Sequence, residues 1–308
     1  MNVNRKTLLR TVVACAIGLP LGLPLRARAD DALTFANGDA TLGFHLSGSG
    51  APIVFLPDGP GFSADYLSAV VPYLYGVSGI LLDPRGTGAS QNVAVTPQTM
   101  TIANLLSDIE ALRTTMGFDT ITLFGHGFGG FIAMAYAAEY PAAVRGLILV
   151  DSAPPNLALE AQIDPLRIAR LQPAQRAALS TLDARDRLRA LLPALFSDPA
   201  NAAQFAPYLD SPDAYVPAVA AALAPDLAAH AALASLRDLR APVLAVFGAD
   251  DPGASLVAQA LRAELRAPAV VVIPGAGHYP WIEQPKAFAD AVRTFLTTNG
   301  LGGAAQTN

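Results

Sequence analysis

The residues from which chemistry could be built fall in a few short, glycine-rich stretches, each following a compact apolar run. They are Pro57-Asp58-Gly59-Pro60-Gly61, Asp83-Pro84-Arg85-Gly86-Thr87-Gly88-Ala89-Ser90, Gly125-His126-Gly127-Phe128-Gly129-Gly130, and the pair Gly248-Ala249-Asp250-Asp251 and Gly275-Ala276-Gly277-His278. Aspartate and histidine are acid–base material, and open α/β sheets gather their ligands at the carboxyl ends of their strands. Metal chemistry is not expected, because His45, His126, His230 and His278 are scattered without ligand spacing. The only cysteine is Cys15.

The runs that must position these residues alternate between strand-like and helical, the pattern of a mostly parallel α/β sheet flanked by helices. Thr41–Ser47 places Leu42, Phe44 and Leu46 on one face as an early edge strand. Pro52–Leu56, Gly79–Leu82, Ile121–Phe124, Leu147–Val150, Val243–Phe247 and Val270–Ile273 read as further strands, most of them continuous apolar runs covered on both faces. Ile102–Met116 repeats Leu105, Ile109, Leu112 and Met116 at helical spacing and stops at Gly117. Phe128–Glu139 and Phe288–Leu296 are the other clear helices. Between residues 154 and 234 strand runs vanish and prolines multiply, which predicts short helices inserted between two sheet strands as a lid. The expected organisation is a core over 30–153 and 235–298, that lid, and a disordered polar tail over 299–308.

Together these stretches resemble the α/β-hydrolase superfamily, most closely its proline iminopeptidase-like branch. The resemblance covers nearly all of the chain after residue 29. The stretch 125–130 is similar to the nucleophile elbow, G-x-S-x-G, in its strand–turn–helix setting. The resemblance puts Gly127 at the nucleophile position, and a residue without a side chain forms no acyl-enzyme. The stretch 57–61 resembles the H-G-G-P-G turn, which implies that the N–H groups of Gly59 and Phe128 form an oxyanion hole. Here Pro57 and Asp58 stand in place of His-Gly. Asp58 either points inward, as a second acid or base or a cation ligand, or caps its own turn and faces solvent. Asp83–Ser90 is similar to a structural loop whose arginine organises its neighbours. The acid turn and histidine loop imply Asp251 as the carboxylate that orients His278, with Asp250 and Asp151 as weaker alternatives.

Composition bounds the rest. The chain has 308 residues, 52% hydrophobic and 15% charged, with a formal net charge of −5. It is too apolar for a disordered protein and too acidic for a nucleic-acid partner. Arg5, Lys6 and Arg10, an apolar stretch to Leu25 and Ala27-Arg28-Ala29 have the layout of a secretory signal peptide over 1–29. The expectation is therefore a secreted or periplasmic protein without stable membrane insertion. No phosphate loop or dinucleotide fingerprint is present, so no cofactor is implied.

Three functions remain open. In the first, His278 oriented by Asp251 acts as a base on water or substrate, the elbow amides hold the developing anion, and a small ester, amide or carbonyl compound is turned over without serine. In the second, the pocket binds a small ligand and does no chemistry. In the third, a conventional serine hydrolase has lost its nucleophile at position 127. The first is favoured, because a passive pocket has no need of an acid–histidine pair. Ser63 and Ser152 lack an elbow, and His126 reads as a packed, hydrogen-bonded histidine. The arginines of the inserted region read as a solvated face. Its single glutamate, Glu160, gives no ground for aminopeptidase specificity.

Overall fold

The computed structural model describes residues 32–234 and 236–302. The expected leader over 1–29 lies outside them. Strands β1 (Leu33–Asn37), β2 (Ala40–Gly48), β3 (Ala51–Leu56) and β4 (Val77–Leu82) come first, followed by helix α1 (Ile102–Met116). Strand β5 (Ile121–His126), helix α2 (Phe128–Glu139) and strand β6 (Val144–Val150) form the centre. After β6 come α3 (Glu160–Ala169), α4 (Pro173–Ala178), α5 (Ala184–Leu191), α6 (Ala202–Phe205) and α7 (Pro217–Ala229). Strand β7 (Val243–Gly248), helix α8 (Ala254–Glu264), strand β8 (Ala269–Ile273), α9 (Pro280–Glu283) and α10 (Pro285–Thr298) complete the chain.

The strands make one eight-stranded sheet in the order β1-β2-β4-β3-β5-β6-β7-β8. It is antiparallel through β1, β2 and β4 and parallel from there on. Every residue of β4, β5 and β7 is buried, as parallel strands covered by helices on both faces must be. The period-two alternation of a strand divides the core into two layers. Val54 and Leu123 pack with α1 and α2 residues such as Leu112 and Phe131, while Ile53, Phe55 and Phe124 pack with Phe288 and Val292 of α10. Helix α1 follows its sequence signals closely: Thr101 caps it by accepting from the Asn104 N–H at 3.1 Å, and Gly117 ends it with φ 73°.

Three expectations change. Strand β2 is not an edge, since β1 pairs along its outer side from Ala40 to Phe44. That pairing stops before Leu46, which is 41% exposed rather than buried with Leu42 and Phe44. Within the stretch expected to be a disordered tail, Leu301 is buried against Gly146.

The helices between β6 and β7 do more than cover the sheet. Their segment Ala214–Val216 pairs with the loop after β3: the Ser63 N–H donates to Ala214 O at 3.0 Å and the Val216 N–H to Gly61 O at 2.8 Å. The inserted region thus holds the loop that carries Asp58. Among the described residues no helix is long and apolar enough to cross a membrane.

Candidate active site

The chain leaves the carboxyl end of β5 through Gly127, at φ 52° and ψ −120°, and enters α2 at Phe128. This is a backbone conformation that side chains disfavour. The turn is packed from above by the loop following β3. A Cβ at Gly129 would strike the carbonyl oxygens of Leu56 and Pro57, so glycine there permits the close approach. A Cβ at Gly127 would land on the Asp58 carboxylate.

Asp58 therefore points inward, and its solvent-facing alternative is overturned. Its Oδ1 accepts from the Phe128 N–H at 2.8 Å, and its Oδ2 lies 3.1 Å from His278 Nε2. The reason is physical. The missing side chain at Gly127 leaves a space, while the first amide of α2 and the imidazole supply partners for a carboxylate. Of the two expected oxyanion donors, Phe128 is thus already engaged. Gly59 stands next to Asp58 in the same turn, with φ 149°.

His278 lies between two carboxylates, since its Nδ1 is 2.6 Å from Asp251 Oδ2. Both ring nitrogens face acceptors, so both carry protons and the resting group is an imidazolium. Burial opposes that charge, but hydrogen bonds and attraction from Asp251 and Asp58 outweigh it and push the pKa up to about 10. Burial likewise works against charge on Asp58, yet His278 holds its carboxyl well below the usual range. The expected role of His278 as a resting base is corrected accordingly, because at neutral pH it has no free lone pair to accept a proton.

Asp251 also accepts from the Gly253 N–H at 2.7 Å, and its pKa is lowered by His278 and Arg167 despite burial. The neighbouring Asp151, at the end of β6, behaves oppositely. It accepts one hydrogen bond, from the Gly248 N–H at 2.9 Å, and its Oδ2 is buried without a partner. Burial and the charge of Asp251 push its pKa far up, which favours its neutral form. Asp250 turns outward and accepts from Ser197 Oγ at 2.7 Å.

A relay of neutral groups supports Asp58 from behind. Its backbone N–H donates to Tyr66 Oη at 2.7 Å, so the Tyr66 hydroxyl proton goes to His126 Nδ1 at 2.8 Å. His126 Nε2–H then donates to the carbonyl of His278 at 2.9 Å. Burial and the neighbouring His278 charge depress the His126 pKa to about 3, so this ring stays neutral. His126 is fully buried, as its packing role requires. Sequence reasoning missed Tyr66, which sits in a 3-10 helix, Asp65–Ala69, too short for a period to mark it.

Other candidates lie elsewhere. Ser63 Oγ bonds to Tyr208 Oη at 3.0 Å, and Ser152 Oγ donates to the carbonyl of Ala153 at 2.8 Å. Arg85 anchors its loop by pairing with buried Asp108 at 2.5 Å, and Asp83 accepts from the Ala64 and Ala89 N–H groups at 2.8 Å each. The inserted arginines are not simply solvated. Arg185 donates to the carbonyls of Leu209, Ser211, Pro212 and Tyr215, and Arg170 to those of Asp250 and Phe196. Glu160 is taken up by Arg167 at 2.7 Å.

Asp58 and Phe128 border a cavity of about 40 Å³ that Leu82, Met100, Ile132 and Val219 help to line. Its lining side chains are apolar apart from Asp58 and Asp108. Among the described residues the carboxylates and imidazoles also form two groups within metal-ligand reach, Asp58–His126–His278 and Asp151–Asp251–His278. In the first, His126 has both nitrogens committed to Tyr66 and His278, which leaves it no lone pair for an ion.

Comparison with known proteins bears on the family and the fold. A proline iminopeptidase from Saccharolobus solfataricus is 38% identical over 108 residues, 34% of each chain. A cis-3-alkyl-4-alkyloxetan-2-one decarboxylase from Shewanella oneidensis is 31% identical over 106 residues. The chain thus matches about a third of the length of such curated relatives. Among solved structures, a proline iminopeptidase-related protein from Thermus thermophilus is 25% identical with a TM-score of 0.66, covering 86% of this chain and 96% of its own. Est816, described as an N-acyl homoserine lactone degrading enzyme, superimposes with a TM-score of 0.67 at 23% identity, covering 85% of this chain and all of its own. The model of the alpha/beta hydrolase family matches residues 53–291, and with the elbow, acid and histidine at their strand ends the chain belongs to that family, beside the proline iminopeptidases.

Proposed function

We propose that this chain is a serine-independent hydrolase in which the Asp58 carboxylate takes over the task of the missing elbow side chain. One observation carries the reading: Asp58 holds Phe128 N–H with Oδ1 and His278 Nε2 with Oδ2. A carboxylate can form a covalent intermediate. Here Oδ2 attacks an electrophilic carbon of a small neutral substrate while Oδ1 stays on the amide; the bond from that carbon to its leaving oxygen breaks, and His278 Nε2 gives that oxygen its proton. The product of that step is an ester of Asp58.

The second half uses the same groups. Once His278 has given up its Nε2 proton, it can take one from water, whose oxygen adds to Cγ of Asp58. The negative charge then develops on Oδ1, where the Phe128 N–H is already aimed. Collapse breaks the Cγ–Oδ2 bond, so Oδ2 leaves with the substrate carbon and takes a proton from His278, while the water oxygen stays on Asp58. The new carboxylic acid returns its own proton to the ring, which restores the ion triad. Asp251 keeps the imidazole oriented and its charge balanced throughout.

Single turnover in heavy-oxygen water, followed by mass spectrometry of the peptide bearing Asp58, tests this. Label in that peptide supports the covalent route. Turnover without label would place the water attack on substrate instead, and no turnover of any substrate would leave a ligand-binding role. Export rests on the layout of residues 1–29 alone, and N-terminal sequencing of protein recovered outside the cytoplasm tests it.

A further inference from the structure

We propose that the substrates of this site are epoxides with a small apolar substituent, an inference that rests on the carboxylate reading of Asp58. Three features of the site select this class. The first is the occupied oxyanion donor. An ester or amide carbonyl attacked at its carbon needs an N–H for its developing oxyanion, and the Phe128 N–H is bound to Asp58 Oδ1 at 2.8 Å. Attack on a saturated carbon makes no such demand.

The second feature is the proton on His278. Its two ring nitrogens face carboxylate oxygens at 2.6 and 3.1 Å, so the site rests with an acid in place and no base. A first step that needs an acid is the opening of a three-membered cyclic ether. Asp58 Oδ2 forms the new C–O bond, the ring C–O bond breaks toward the ring oxygen, and His278 Nε2 gives that oxygen its proton. Esterified Asp58 is a poorer acceptor than the carboxylate, which frees the His278 N–H for this transfer. The ring oxygen stays tethered to the neighbouring carbon and cannot diffuse away. Water then cleaves the Asp58 ester as above, so epoxide and water become a diol.

The third feature is the lining. The side chains around the cavity are apolar except Asp58 and Asp108, and Asp108 is paired with Arg85. The one N–H at the leaving atom is then that of His278, an acid that a ring oxygen needs in order to leave and a halide does not, which favours epoxides over alkyl halides. No cationic side chain lines it, and the Asp58 charge repels anionic substrates.

The test offers the full chain styrene oxide, butyl chloride and nitrophenyl acetate in heavy-oxygen water, and follows both product and label in the Asp58 peptide. The expected result is diol from styrene oxide with label in that peptide. Asp58→Asn should lower the rate by about 10³-fold or more, as loss of a covalent nucleophile does. The labelling uses the parent chain, so it stands even if the variant folds poorly. Label acquired with butyl chloride or nitrophenyl acetate, but never with the epoxide, would overturn the substrate class and leave the carboxylate reading intact. Diol without label, or no label with any substrate, would remove the covalent reading and this inference with it.

Discussion

The Asp58 carboxylate occupies the place above the Gly127 Cα where an elbow side chain would stand, although the two residues come from different strand ends. Asp58 supplies what Gly127 lacks, and Gly127 supplies the room that Asp58 needs. Neither residue makes sense at its position without the other.

This coupling predicts a non-additive pair of substitutions. Gly127→Ser alone puts a Cβ onto Asp58 Oδ1 in a backbone region unfavourable to side chains, and should cost about 1–3 kcal/mol. It should also abolish any turnover that depends on Asp58. Combined with Asp58→Gly, the same change frees the Phe128 N–H and leaves the serine hydroxyl beside His278. Loss of one flanking carboxylate also brings the His278 pKa down toward the range of a general base. The double variant should hydrolyse nitrophenyl acetate with a burst that both single variants lack, measured by stopped-flow absorbance.

The pH dependence follows from the resting ion triad. His278 must be protonated for the first step, and its pKa is pushed up to about 10. Turnover should therefore be flat through neutrality and fall as pH rises through about 10. A histidine acting as resting base would give the opposite limb, rising near its ordinary value. The same shift acts on stability. The contribution of the His278 charge is complete below about 6.5, its unfolded value, and is lost progressively up to about 10. Melting curves of the parent and His278→Gln should therefore converge across that window.

Much of this molecule was legible in residue patterns, and the limits have physical causes. Helix α1 was read to its ends because Leu105, Ile109 and Leu112 repeat at helical spacing between Thr101 and Gly117. Strand β1 was missed because only Phe35 of its five residues is buried. The approach of Asp251 to His278 followed from two turns at neighbouring strand ends. The direction of Asp58 did not, because it depends on empty space at Gly127 and on an amide of α2. Local turn preference favours an outward aspartate, and tertiary partners overrode it. The carbonyl partners of Arg170 and Arg185 were not foreseen for a similar reason: backbone acceptors leave no trace in charge patterning.

Asp151 gives a test of where the protons sit. With Asp251 ionised beside His278, the buried Asp151 stays neutral, its pKa raised by burial and by Asp251. A raised carboxyl favours the folded state fully below its unfolded value of about 4, and that contribution fades as pH climbs. Asn at this position resembles the neutral acid and does not titrate. Asp151→Asn should therefore match the parent near pH 4 and become the more stable protein at neutral pH. An Asp151 that is ionised in the fold would reverse the neutral-pH result.

Tyr66 tests whether the relay behind Asp58 positions it or merely fills space. Its hydroxyl accepts from the Asp58 N–H and donates to His126, and the ring itself is buried. Tyr66→Phe keeps the ring packing while leaving one buried N–H and one imidazole nitrogen without partners. That change should cost about 1–3 kcal/mol of stability. If the relay also fixes Asp58, the turn at residues 57–59 loosens and the carboxylate spends less time on the Phe128 amide. The rate of Asp58 labelling in heavy-oxygen water should then fall more than substrate affinity does, with kcat dropping and KM nearly constant. Equal loss of stability with an unchanged labelling rate would make Tyr66 a packing residue. The labelling rate separates the two roles because it reports the reacting oxygen atoms and not the fold as a whole.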